Sequence, residues 1–219
     1  MKIKRKPLHN PYKIVKMFEE EVAHYTGAPY AVSVDSCTNA LFLSCMFVFE
    51  KRAVSRQVTI PCKTYLSVPQ SIIHAGGEVV FDKREEVNNW SGIYELKPLK
   101  IYDSAKRLTS NMYIPGSAMC LSFHMKKQLP IGKGGMILTD DLEMVTWLKK
   151  ARYEGRSEVV YHEDDIDSLG WNMYMTPQEA AHGLALMQNY PDEVPDLAEN
   201  HGYRDLTLNT IFKNNKTIE

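Results

Sequence analysis

Short apolar runs alternate with helix-length segments along most of this chain, and that alternation limits the folds open to it. Tyr30-Ala31-Val32-Ser33-Val34 reads as a strand. After the turn Asp35-Ser36-Cys37, Thr38 to Phe49 is long and apolar enough for a buried helix, and Val58-Thr59-Ile60 begins a second strand. Leu66 to His74 forms a short helix that stops near Gly76-Gly77, and Glu78-Val79-Val80-Phe81 follows as a strand before the polar stretch Asp82 to Asn89. Leu99 to Asp103, Cys120 to His124 and Met136 to Thr139 supply further strands, the last two separated by the loop Gln128 to Gly135, and Asp141 to Glu154 is helical in content. Such alternation predicts an α/β fold of three layers, a mainly parallel sheet covered on both faces.

Both ends of this core carry local signals. Asn10-Pro11 opens a first helix that runs to Gly27, with Val15, Phe18, Val22 and Tyr25 forming one buried face. Thr176-Pro177-Gln178-Glu179 is a capping box, because the threonine oxygen and the glutamate can each satisfy an otherwise orphaned amide. Ala180, Ala181, Leu184 and Met187 continue that helix, and a last helix is expected from Asp192 to Phe212 despite Pro195 and Gly202. The expected organisation is a basic tail at 1–10, a large domain at 11–190 and a C-terminal helix and tail at 191–219.

Composition narrows the function. With 219 residues, 44% of them hydrophobic, the chain suits one compact domain. Its 26 basic and 27 acidic residues give a net charge of -1, so neither nucleic acid nor a membrane surface is an expected partner. Cys37, Cys45, Cys62 and Cys120 lack the close pairing of a zinc site or a secreted disulfide framework, and no signal peptide opens the chain; a cytoplasmic location is expected. Gly132-Lys133-Gly134-Gly135 lacks the serine or threonine of a nucleotide P-loop, and His162-Glu163-Asp164-Asp165 with Asp167 reads as an exposed acidic loop, not a metal site.

Five segments in order resemble the sugar-type aminotransferases of the DegT/StrS family, which use pyridoxal phosphate on the aspartate-aminotransferase fold. They are Phe18-Glu19 through Thr26-Gly27, Val34-Asp35-Ser36-Cys37-Thr38-Asn39-Ala40-Leu41, Ile101-Tyr102-Asp103-Ser104-Ala105, Ser122-Phe123-His124-Met125-Lys126-Lys127 running into Gly132 to Met136, and Gly170-Trp171-Asn172-Met173-Tyr174-Met175. The resemblance implies that Lys127 forms the Schiff base, with Lys126 its neighbouring competitor. It implies that Asp103 pairs with the pyridine nitrogen, where a turn or capping aspartate is the alternative. Ser36, Cys37 and Thr38 begin a helix after a strand, so their amides would face the phosphate with the helix dipole behind them. Ser122 would add a hydroxyl, Tyr65 would stack on the ring, His124 would line the site, and Asn172 would come from the second subunit of a homodimer.

The same comparison exposes departures. Lys106 stands where the family has a glutamine near the cofactor's phenolic oxygen, Cys37 where glycine is common, and Tyr174 where an arginine is often found. Between Phe81 and Ile101 the family has additional strand and helix units, and the small C-terminal domain is expected to be absent here. The leading expectation is therefore an abridged transaminase, moving an amino group from a small-molecule donor to a sugar-like or other carbonyl acceptor in a ping-pong reaction. A pyridoxal-phosphate decarboxylase or lyase, or a non-catalytic binding module on the same fold, are the alternatives.

Overall fold

The computed structural model describes residue 10, residues 12–197 and residues 202–219. The expected basic tail lies outside the described residues except for Asn10, whose Oδ1 accepts the Tyr12 amide at 2.9 Å. Helix α1 (Lys13–Thr26) then buries Val15, Phe18 and Val22 and ends at Gly27, where φ of 76° is a left-handed stop that glycine adopts without a Cβ clash. Strand β1 (Tyr30–Val34), helix α2 (Cys37–Lys51), strand β2 (Gln57–Pro61), helix α3 (Ser67–His74) and strand β3 (Glu78–Asp82) follow in the expected order. Helix α2 is apolar nearly all round and is buried from Ala40 to Cys45.

Beyond β3 the chain departs from expectation in instructive places. The polar stretch after Asp82 holds a single turn, α4 (Glu85–Asn88), and then a strand the sequence pattern hides, β4 (Tyr94–Leu96). Strands β5 (Ile101–Asp103), β6 (Ala118–Ser122) and β7 (Gly135–Thr139), helix α5 (Leu142–Ala151) and helix α6 (Pro177–Met187) complete the expected set. The Thr176 capping box forms as written in the sequence: Glu179 donates its amide to Thr176 Oγ1, and Glu179 Oε2 accepts the Thr176 amide at 2.8 Å.

The helix expected from Asp192 to Phe212 does not form in its described parts, and residues 198–201 lie outside them. Pro195 removes a helical donor, and the segment's amides are spent elsewhere: Leu197 donates to the Lys106 carbonyl and Leu206 to that of Cys62. Two 3₁₀ turns, Leu206–Leu208 and Thr210–Phe212, bury Leu206 and Phe212 in the core, and β8 (Lys216–Ile218) adds to the edge of β3.

The strands form one sheet in the order β1-β7-β6-β5-β4 and another in the order β2-β3-β8. Reciprocal backbone bonds between Thr59 and Lys97, at 2.8 and 3.1 Å, join β2 to the turn after β4, so the two run on nearly as one surface. Pairing is mixed: β2-β3, β3-β8 and β5-β6 are parallel, while β1-β7, β6-β7 and β4-β5 are antiparallel. Strand β4 is antiparallel because only four residues separate it from β5, too few for the crossover a parallel neighbour requires. Alternate residues of β6 then feed two cores: Met119 and Leu121 pack with α1 and α6, Ala118 and Cys120 with α2.

A buried ion pair ties these layers together. Arg152, at the end of α5, donates to the Ser33 carbonyl at 2.6 Å and to Glu19 of α1, while Glu19 Oε1 accepts the Ser33 amide and hydroxyl, each at 2.8 Å. Both side chains are about 95% buried. Replacing Arg152 by methionine strands the Glu19 carboxylate and is expected to cost about 3–5 kcal/mol in urea unfolding. The double variant Glu19→Gln/Arg152→Met should lose less than the sum of the singles, as a double-mutant cycle would read.

Candidate active site

Gly135 sets the geometry of the site. It closes the β7 ladder between Val34 on β1 and Ser122 on β6. A Cβ added there would lie 2.3 Å from the Ser36 carbonyl carbon and 2.5 Å from the Cys37 amide nitrogen, so only glycine lets that peptide rest on the strand. Ser36 caps α2, its Oγ accepting the Asn39 amide at 3.2 Å, and the amino end of a fifteen-residue helix is thereby fixed at the carboxyl end of β1. Thr38 donates to Ser67 Oγ at 2.9 Å and couples α2 to α3. The Cys37 thiol donates to the Cys120 carbonyl at 3.5 Å. Burial, reinforced by Asp103 and Cys120, pushes that thiol well above its usual range and keeps it a neutral apolar group.

The helix end opens into a cleft of about 360 Å³. Ser36, Cys37, Thr38 and Ser122 line one end, with Asp103, Lys106 and Lys127 deeper and Tyr65 at the rim. Sequence reasoning thus named eight residues that the fold brings together from four separate stretches of chain. His124, expected to line the site, does so as well. Asn172 is not among them: its Nδ2 donates to Glu154 Oε1 at 3.0 Å and its backbone bridges to Tyr153, away from this chain's own cleft. Nearby, Tyr174 packs edge-on against Tyr12 and Tyr153 with centroids 6.1 and 5.2 Å away.

Asp103 is a buried carboxylate held by neutral donors. Oδ1 accepts the Ala105 amide and Oδ2 the Tyr94 hydroxyl, each at 3.0 Å. Burial pushes its pKa up; those two hydrogen bonds and the charges of Lys127 and Lys106 oppose the rise. No ion pair reaches Asp103 among the described residues. Of the two adjacent lysines, Lys127 is half-buried and its charge acts on both Asp103 and Cys37, whereas Lys126 lines the cleft from an exposed position.

Sequence reasoning missed one wall entirely. Trp90 and Tyr203 stack at 21° with centroids 6.1 Å apart, and the Lys106 ammonium lies 5.1 and 4.7 Å from their centroids. Tyr203 fell within the expected C-terminal helix and Trp90 within an apparent polar linker, so neither had a local pattern to mark it. Lys133 was also missed; it lines the cleft and pairs with Asp35 at 3.1 Å. The acidic loop differs as well, since the Asp164 side chain is buried and accepts the Ser157 amide at 2.9 Å.

Comparison with known proteins decides the lineage. The DegT/DnrJ/EryC1/StrS aminotransferase family matches residues 3–88 and 113–213. The chain belongs to that family. Its curated relatives include the spore coat polysaccharide biosynthesis protein SpsC of Bacillus subtilis, 26% identical with 81% of this chain and 57% of the relative covered. A second is the UDP-4-amino-4,6-dideoxy-N-acetyl-beta-L-altrosamine transaminase of Helicobacter pylori, 22% identical, covering 91% of this chain and 62% of the relative. The chain therefore spans about three fifths of the length of the curated relatives it matches. Among solved structures, Helicobacter pylori PseC, an aminotransferase of pseudaminic acid biosynthesis, superposes with a TM-score of 0.67 at 18% identity over 83% of this chain and 62% of its own. A PLP-dependent aminotransferase of Bacillus cereus gives 0.74 at 15% identity over 95% of this chain and 83% of its own. These likenesses establish the fold.

The family match omits residues 89–112, the stretch that carries Trp90, Tyr94, Asp103 and Lys106. Gly135→Ala offers a direct check on the end of the cleft formed by the start of α2. The added methyl must push the Ser36–Cys37 peptide off β7, at a cost of about 1–3 kcal/mol in chemical denaturation. Isothermal titration should show weaker binding of pyridoxal phosphate by the same variant.

Proposed function

We propose that this chain is a pyridoxal-phosphate-dependent aminotransferase that passes an amino group from a small-molecule donor to a carbonyl acceptor, sugar-like by analogy with its relatives. The observation that carries this reading is the convergence of Lys127, Asp103 and the amino end of α2 on one cleft. The donor set suits the cofactor. A helix end with the hydroxyls of Ser36, Thr38 and Ser122 suits a phosphate, and Asp103, bonded to neutral donors among the described residues, suits a cationic ring nitrogen. Family membership favours this reading over the decarboxylase, lyase and binding-module alternatives.

When bound, pyridoxal phosphate supplies an aldehyde and an electron-withdrawing ring that loosens bonds at the amino-bearing carbon. The chain supplies the rest. Lys127 Nζ is the amine for covalent attachment and, once released, takes and returns the proton at the substrate carbon. Asp103 holds the ring nitrogen in its charged form. Tyr65, 59% exposed at the rim, offers an aromatic face, and Lys106 presents an ammonium where relatives have an amide. Four free thiols fit a reducing cytoplasm, and no described helix is long and apolar enough to cross a membrane.

The active form in this reading is a homodimer. Asn172 faces away from its own cleft, and Val159, Val160, Tyr161, Ile166 and Leu169, in the segment leading to it, are exposed apolar side chains suited to a partner copy.

Two measurements test the proposal. After pyridoxal phosphate is added and the protein is reduced with borohydride, peptide mapping should place the adduct on Lys127; an unmodified Lys126 and Lys127 pair would move the binding-module reading to first place. For the dimer, Lys127→Ala and Asn172→Ala chains, each inactive alone, are mixed. Random pairing should restore about a quarter of the wild-type sites, since one site in each mixed dimer escapes both lesions. Mixed chains that stay inactive would argue against a shared site.

A further inference from the structure

Strand β4 places a tyrosine directly against the candidate cofactor aspartate. In the antiparallel pairing of β4 with β5, Tyr94 stands opposite Asp103, Glu95 opposite Tyr102 and Leu96 opposite Ile101. Directly opposed residues project to the same face within side-chain reach, so this register alone brings the Tyr94 hydroxyl to Asp103 Oδ2 at 3.0 Å. A slip of one residue would aim Tyr94 at the other face. The Tyr94 oxygen is in turn 2.5 Å from Thr64 Oγ1. A phenol has one proton. With that proton given to Asp103, the Thr64 hydroxyl must donate to the Tyr94 oxygen, and the three groups form a directed chain ending on the carboxylate.

All three are buried: Thr64 is 1% exposed, Asp103 5% and Tyr94 8%. Water therefore has little access to compete for these bonds, and each is stronger than it would be in solvent. The Trp90 ring, 4.7 Å from the Tyr94 ring, holds the phenol from the cleft side. Burial, with the Asp103 charge adding to it, pushes Tyr94 well above its usual range, so it remains a donor at every working pH.

We infer that Tyr94, backed by Thr64, is a positioning residue that fixes the Asp103 carboxylate in its orientation toward the cleft and favours its charged form. The assignment rests on the proposed role of Asp103 and adds a residue that neither the motif resemblance nor the family match covers. Other groups also face Asp103: Cys37 from α2, Cys120 from β6, Lys127 from the loop after β6, and Lys106 and Tyr203 from the aromatic wall. Among them, Tyr94 alone shares a side-chain hydrogen bond with the carboxylate among the described interactions.

The test reads Asp103 itself. Infrared difference titration of the cofactor-free chain, with carboxyl-labelled aspartate and Asp103→Asn to assign the band, gives its protonation midpoint. Tyr94→Phe should move that midpoint upward, because the charged form loses a donor while the neutral form loses less. Thr64→Val should move it in the same direction by less, and Thr64→Ser should restore it. Pyridoxal phosphate should bind Tyr94→Phe about tenfold more weakly, in keeping with the loss of one hydrogen bond to a charged group. A folded Tyr94→Phe chain with an unmoved midpoint overturns the inference. Should that variant fail to fold, an unmoved midpoint in Thr64→Val does so. A wild-type chain that binds no pyridoxal phosphate overturns the functional proposal alone, since the infrared reading needs no cofactor.

Discussion

The Ser36–Cys37 peptide can rest on β7 only because Gly135 has no side chain, and the site depends on that contact. A Cβ would stand 2.3 Å from a backbone carbon, a clash that neither partner can relieve by rotating a side chain. With glycine there, α2 begins where β1 and β6 end and β7 begins, and its amino end lines the cleft beside Ser122. Glu19 and Arg152 act on the same region from behind. They fasten Ser33, two residues before the loop that carries Ser36, to α1 and α5 at once. The end of the cleft at Ser36 to Thr38 is thus held by backbone packing in front and a buried charge pair behind.

The deep part of the site is assembled differently, from segments distant in sequence. Asp196 accepts two bonds from Arg107, at 2.7 and 2.6 Å, and one from Ser91 at 3.0 Å. Its carboxylate lies so close to Gly92 that a Cβ there would come within 2.3 Å. This clamp fixes the turn that carries Trp90. Tyr203 arrives from the C-terminal segment, whose Leu206 amide is bonded to Cys62 and whose strand β8 lies along β3. Lys106 gains two aromatic faces as a result, and from there its charge opposes the rise of the Asp103 pKa.

Those two modes of assembly explain what could be read in the sequence. Helix caps, apolar periodicity and the order Ser36-Cys37-Thr38, Asp103, Ser122, Lys127 are local, so α1, α2, α6 and eight cleft residues were legible. Strand β4 has three residues flanked by glycine, lysine and proline, and β8 is the exposed triplet Lys-Thr-Ile; each exists because a neighbouring strand offers an open edge. Nothing within Tyr94-Glu95-Leu96 announces that its first residue will meet Asp103. The register does that, and register is a tertiary property. Trp90 and Tyr203 escape notice for the same reason, and the segment from Asp192 has helical composition while its Leu197 and Leu206 amides go to distant backbone carbonyls, which no local pattern shows.

Asp103 shows why these late-forming elements matter to the chemistry. A carboxylate taken out of water resists ionisation, and here burial is the largest influence on it. The Ala105 amide opposes that resistance locally, whatever the rest of the chain does. Tyr94 opposes it through β4, and Lys106 through a wall that needs Trp90 and Tyr203. The charge of Lys127 helps only while its amine is free and protonated. In the proposed reading Lys127 is taken up in covalent attachment and its free ammonium is gone, so steady support for the ionised aspartate comes from groups that take no part in bond making. In this chain the hairpin and the C-terminal segment supply them: the register places a neutral donor on the carboxylate, and the aromatic wall keeps a second cation within range of it.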